Sequence, residues 1–212
     1  MARHLRYVVS FLLLAAAVSA RAEIIFTADL TIDEEPTLAG PTTVGGDPRP
    51  EPFGTAIFVL NDAETAFTMD AIIFNIDVTG TQTPDPNDNL TNAHIHVGPL
   101  SAAGTAPVRW GFFGTPDNDI NPDNLIFTPF ASGVGGTFFS IWDQPEGNAG
   151  TTLTTNLPLI LAGLSYLNFH TIQNPGGEIR GQITRVPEPS ALALLALGLA
   201  GLGFSRRKRT EN

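Results

Sequence analysis

The chain has 212 residues, 42% hydrophobic and 15% charged, with no cysteine and a formal charge of −10. That is enough apolar material for one domain core, and the missing thiols exclude disulfides, Cys-type zinc sites and iron–sulfur clusters. Between Glu23 and Val186 four arginines and no lysine stand against nineteen carboxylates, a segment charge of −15, which excludes nucleic-acid binding and any phosphate loop that needs its lysine.

Residues 1–22 open with Arg3, His4 and Arg6, continue as an apolar run from Tyr7 to Val18, and close on Ala20-Arg21-Ala22. A basic start, an apolar stretch and a small-x-small end read as a secretory signal peptide, predicting an exported domain over residues 23–185. A buried first helix is the alternative, but it needs polar residues along one face, and Val8 to Ala17 offers only Ser10.

From Glu23 onward, short apolar stretches are regularly interrupted by Gly, Pro, Thr, Asn and Asp, which is a β pattern. The predicted strands are Ile24 to Ile32, Thr55 to Leu60, Ala71 to Val78, Ala93 to Val97, Val108 to Phe113, Thr137 to Trp142, Leu164 to Ile172 and Glu178 to Thr184. Runs such as Ile57-Phe58-Val59-Leu60 are apolar on both faces, predicting central strands covered on both sides. One short helix is expected from Asn156 to Ala162, ended by Gly163, with Pro158 in its first turn. No long helices alternate with the strands, so the expected fold is all-β: an antiparallel immunoglobulin-like sandwich or barrel of about seven to nine strands. Apolar helices at the N- and C-termini lie outside that domain.

The stretches Thr37 to Pro52, Thr81 to Asn92 and Thr115 to Asn124 read as loops. Two echo each other, Thr83-Pro84-Asp85-Pro86-Asn87-Asp88-Asn89 and Thr115-Pro116-Asp117-Asn118-Asp119. Their alternating oxygens suit Ca2+, although the same residues are the ordinary residues of turns.

Three histidines fall within the domain. Residues two apart on a strand share a face, so His94 and His96 project together with Asn92, while His170 shares a face with Tyr166 and Asn168 on another strand. If those strands pair, three imidazoles converge into a set suited to Zn2+ or Cu2+ with one position open. Glu178 is the expected outer acceptor for a ring N–H. The competing reading makes the rings structural hydrogen-bond donors. Further on, Pro175-Gly176-Gly177 marks a turn, after which Glu178, Arg180 and Gln182 share a face and Gly181 leaves room for a close backbone approach. Such a Glu-x-Arg pair is ordinarily structural.

Residues 186–212 form a tail: Val186-Pro187-Glu188-Pro189, an uncharged stretch from Ala191 to Phe204, then Arg206, Arg207, Lys208 and Arg209. As a helix the apolar part reaches roughly 21 Å, short of a hydrocarbon core of about 30 Å unless flanking arginines snorkel. The basic cluster would stay on the cytoplasmic side and leave the acidic domain outside. Alone, this reads as a short C-terminal transmembrane anchor.

Two resemblances follow from these residues. The tail resembles the PEP-CTERM sorting signal of exopolysaccharide-producing Gram-negative bacteria, which implies recognition at Pro187, Glu188 and Pro189 by an exosortase and a membrane helix that serves before processing. Ala93-His94-Ile95-His96-Val97-Gly98, Ala106-Pro107-Val108, Tyr166-Leu167-Asn168-Phe169-His170-Thr171 and Pro175-Gly176-Gly177-Glu178-Ile179-Arg180-Gly181-Gln182-Ile183 together resemble the CHRD domain, the module repeated in chordin. That resemblance covers about Glu23 to Thr184 and leaves Thr115 to Gly136 unmatched; it implies an immunoglobulin-like β-barrel with no settled enzymatic activity.

The function expected is that of a non-enzymatic binding or matrix-associated module, exported by the Sec machinery and sorted to the envelope, surface or extracellular matrix of a biofilm-forming cell. No Gly-x-Ser-x-Gly or His-Glu-x-x-His motif occurs. The segment charge favours a protein or neutral-glycan partner over an acidic polysaccharide, unless divalent cations bridge the two. The alternative is a Zn or Cu protein or metalloenzyme using His94, His96 and His170.

Overall fold

The computed structural model describes residues 23–187 apart from 37–39, 121, 122 and 124, together with 198–199. The leader, Glu188 and Pro189 of the sorting motif, most of the apolar tail and the basic cluster Arg206 to Arg209 lie outside the described residues. Among those described, no helix is long and apolar enough to cross a membrane.

The strands are β1 (Ile24–Leu30), β2 (Phe53–Leu60), β3 (Ala66–Phe74), β4 (Leu90–Val97), β5 (Val108–Phe113), β6 (Ile126–Pro129), β7 (Gly135–Asp143), β8 (Ser165–Thr171), β9 (Ile179–Gln182) and β10 (Thr184–Arg185). They form two antiparallel sheets, one ordered β10-β1-β2-β3-β7-β6 and the other β5-β4-β8-β9. The stretch predicted as one last strand divides: β9 pairs with β8, then the chain crosses over so that β10 pairs with β1. Thr31 bridges Arg180 at the same corner, tying the sheets together. Close approach there requires Gly181, since a Cβ at that position would sit 2.5 Å from the Asp29 carbonyl oxygen.

Strand alternation builds the core. Ala56, Phe58 and Leu60 of β2, Phe67, Met69 and Ile73 of β3, and Ile95, Leu167 and Phe169 of the smaller sheet point inward. Across the gap Trp110 stacks on Trp142 at 5.8 Å, and Phe138 meets Phe169 edge-on at 5.3 Å. The expectation that Ile57-Phe58-Val59-Leu60 is covered on both faces does not hold, because Ile57 lies on the open outer face of the six-stranded sheet, 52% exposed.

The smaller sheet differs. Every residue of β8 is buried, so its outer face, bearing Tyr166, Asn168 and His170, is roofed by loops. The predicted helix forms as α1 (Leu153–Leu161), and it begins earlier than predicted because Thr152 and Thr155 form a reciprocal capping box at its N-terminus. Pro158 therefore falls inside the helix rather than in its first turn, leaving the Thr154 carbonyl without its intrahelical donor. Leu153, Leu157 and Ile160 compensate by packing into the core.

Candidate metal centre

Antiparallel pairing of β4 with β8 sets His94 opposite Asn168, His96 opposite Tyr166 and Asn92 opposite His170. On the other side β5 pairs with β4 through register shifts flanking His94 and His96. Such bulges re-aim side chains, and here they lie beside the two rings. Ring centroids are 4.9 Å apart for His94 and His170, 6.0 Å for His94 and His96, and 6.2 Å for His96 and His170. All three rings are buried, and one nitrogen from each lies within 4.8 Å of the others. Among the described residues no carboxylate joins this grouping.

Each ring is fixed by a backbone carbonyl from a different loop. His94 Nε2 bonds to the Thr115 oxygen at 3.0 Å, His96 Nδ1 to that of Ala106 at 2.8 Å, and His170 Nδ1 to that of Pro175 at 3.1 Å. A carbonyl only accepts, so each of these ring nitrogens carries the proton, and in the neutral ring the opposite nitrogen bears a lone pair. Those opposite nitrogens, His94 Nδ1, His96 Nε2 and His170 Nε2, are buried and have no hydrogen-bond partner. Burial holds all three rings in the neutral form, pushing His96 and His170 down to about 4 and lowering His94; the neighbouring rings add to the effect on His96 and His170.

The loop over His94 depends on Gly111, whose carbonyl accepts from Asn118 N–H at 2.7 Å and whose own N–H donates to Asn118 Oδ1 at 3.1 Å. A Cβ there would stand 1.9 Å from the Pro116 oxygen and 3.0 Å from His94 Cδ2. Glu178 does not serve the rings as expected. Fully buried, it accepts from Arg49 and from the Thr171 hydroxyl. The outer role falls to the loop carbonyls of Thr115, Ala106 and Pro175. Arg180 lays its guanidinium over Tyr166, 3.5 Å from the ring centroid, and donates to the Gly104 carbonyl at 2.8 Å.

The acidic loops spend most of their carboxylates on hydrogen bonds, although Asp119 Oδ1 is buried without a partner. Asp85 accepts from Asn87 N–H and Val44 N–H, Asp88 from the Thr83 hydroxyl, and Asp77 from the N–H groups of Thr79, Gly80 and Thr83. In the second loop Asp117 accepts from Asp119 N–H, and Asp119 from the Ser140 hydroxyl. The local ones build turns, those to Val44 and Ser140 tie the loops to other segments, and neither loop gathers three ligating carboxylates among the described residues.

Arg49, Tyr166, Thr115, Ala106 and Pro175 escaped the sequence reading as contributors. Three of them act through backbone atoms, which any residue supplies, and Arg49 comes from a loop far away in the chain.

The family model for the CHRD domain matches residues 26–183, and that for the PEP-CTERM protein-sorting motif matches residues 185–208. No curated protein and no solved structure matches the chain. The sorting motif implies exosortase-mediated processing and export to the envelope or surface of a Gram-negative cell.

Proposed function

Because the chain belongs to the CHRD domain family and carries a sorting motif directly behind that domain, we propose that it is a surface module that holds one transition-metal ion, Zn2+ or Cu2+, on His94, His96 and His170. One observation carries this reading: three neutral imidazoles, each with its outer nitrogen spent on a carbonyl, present unpartnered buried nitrogens to one another. Hydrogen-bond satisfaction of the fold alone leaves those nitrogens unexplained, since buried polar atoms ordinarily find partners. Three nitrogen donors with oriented outer N–H groups and no carboxylate fit zinc or copper, and not Ca2+ or Mg2+.

Metal–nitrogen bonds of about 2.0–2.1 Å would draw the rings inward from their present spacing and leave a fourth position for an outside ligand. The module acts as a binding or matrix-associated protein rather than an enzyme. A protein or polysaccharide partner would meet a domain whose carboxylates far outnumber its basic residues.

The test is metal analysis of the purified protein after stripping with chelator and reloading with Zn2+ or Cu2+. Wild type should hold one ion per chain, and His94→Ala and His170→Ala should lose it while keeping the β-sheet circular dichroism. A wild-type protein that retains no ion would return the three rings to a purely structural role.

A further inference from the structure

On the reading just given, we propose that Tyr166, clamped by Arg180, is a positioning residue of the metal centre that acts through His96. The Tyr166 ring lies parallel to the His96 ring, 4.5 Å between centroids and 10° between planes. Its hydroxyl accepts the Ala106 N–H at 3.1 Å, and the carbonyl of that same residue accepts from His96 Nδ1 at 2.8 Å. One side chain therefore fixes His96 twice. The stack sets the tilt of the imidazole, and the hydroxyl holds Ala106, the residue whose carbonyl keeps the proton on Nδ1 and the lone pair on Nε2.

Arg180 completes the clamp. Its guanidinium lies 3.5 Å from the Tyr166 ring centroid, and Nη1 donates to the Gly104 carbonyl, two residues before Ala106. The loop bearing His96's acceptor is gripped at both residues, and the aromatic ring between them has little freedom to swing. Arginine suits this place because its planar cation stacks and donates at once, which a lysine ammonium does not reproduce. The backbone of Arg180 is itself held, exchanging hydrogen bonds with Thr31 at 3.0 Å in both directions.

The sequence carries no motif for such a clamp. Tyr166 reads as an amphipathic strand residue, and a buried phenol needs a hydrogen-bond partner wherever it sits. What marks it as more than packing is that its partner is the residue whose carbonyl orients a candidate ligand.

The experiment titrates stripped full-length protein with Cu2+ alone, reading affinity by competition with a chelator and the ligand set by electron paramagnetic resonance. Tyr166→Phe keeps the stack and loses the hydroxyl, and should weaken Cu2+ binding about tenfold; Tyr166→Leu loses both and should approach about 100-fold, with the nitrogen hyperfine pattern altered. Arg180→Lys should fall near Tyr166→Phe. The decisive arm reads the ring tautomers of the stripped protein by 15N NMR, where Tyr166→Phe should populate the Nε2-protonated form of His96 while His94 and His170 keep theirs.

Wild-type affinity and an unchanged spectrum in Tyr166→Phe overturn the proposal, as does a His96 tautomer that Tyr166→Phe leaves unchanged. Tyr166→Phe, differing by one hydroxyl, decides the matter if Tyr166→Leu does not fold. Failure of wild type itself to bind Cu2+ or Zn2+ defeats the underlying metal reading and is distinguished by that control.

Discussion

Replacing Arg49 by methionine removes one member of an ion pair that lies almost wholly out of water, its side chain 5% exposed and that of Glu178 0%. Taking away one partner of such a pair costs about 3–5 kcal/mol because the remaining charge keeps its desolvation penalty and loses its compensation. Glu178 retains the Thr171 hydroxyl, which places the expected cost near the lower end, about 3 kcal/mol. The lost bond from Arg49 Nη2 to Gln173 Oε1, at 3.1 Å and only partly buried, is counted within that cost. For a domain of this size a loss of 3 kcal/mol lowers the melting temperature by roughly 6–12 °C. Urea denaturation of Arg49→Met, Glu178→Met and the double variant closes a cycle. The double variant should lie within about 1 kcal/mol of wild type, because removing both charges removes the penalty with them. A cost below about 1 kcal/mol for Arg49→Met, or a double variant as unstable as the two single losses added, would refute the argument.

Metal loading should stabilise the fold by about 2.7 kcal/mol when free ion stands at 100 times its dissociation constant, a rise of roughly 5–10 °C in melting temperature that His94→Ala abolishes. The pH dependence of the metal-free protein follows from His170, whose folded-state pKa of about 4 lies below the ordinary 6.5. As pH falls from 6.5 toward 4 the unfolded chain takes up a proton that the folded chain refuses, so this ring withdraws stability by up to about 1.4 kcal/mol per pH unit. His170→Gln lacks that loss, so urea stabilities at pH 7 and pH 5 should diverge less for the variant than for wild type; equal slopes would contradict the assignment. Gly111→Ala should cost several-fold or more in metal affinity together with about 1–3 kcal/mol of stability, since its Cβ meets the Pro116 carbonyl. Unchanged affinity there would show that the loop bearing Thr115 does not position His94.

Much of this architecture was legible because alternation and turn residues act locally. His94 and His96 declare a shared face through spacing alone, and the short strands between Gly, Pro and Asn clusters declare two packed layers. The early start of β3 was hidden because the run Ile72-Ile73-Phe74 draws attention from the quieter alternation of Phe67, Met69 and Ala71, whose partners Thr68 and Asp70 face outward. Strand β6 was hidden for another reason: its residues are mostly exposed and flanked by Asp, Asn and Pro, and it exists only by pairing with β7. Within the centre, the ligand candidates are side chains and leave a pattern, whereas their orienting partners are backbone oxygens and leave none. Glu178 was the natural candidate acceptor, and nothing local announces that Arg49 captures it.

The three candidate ligands sit on strands from the middle and the end of the domain, and the carbonyls that aim them come from loops that close only when those strands have paired. A chain whose strands have not yet paired therefore lacks this arrangement of rings. On the proposed reading the protein is charged from the pool beyond the cytoplasm, and the metal it carries records the chemistry of the surroundings in which it finished folding.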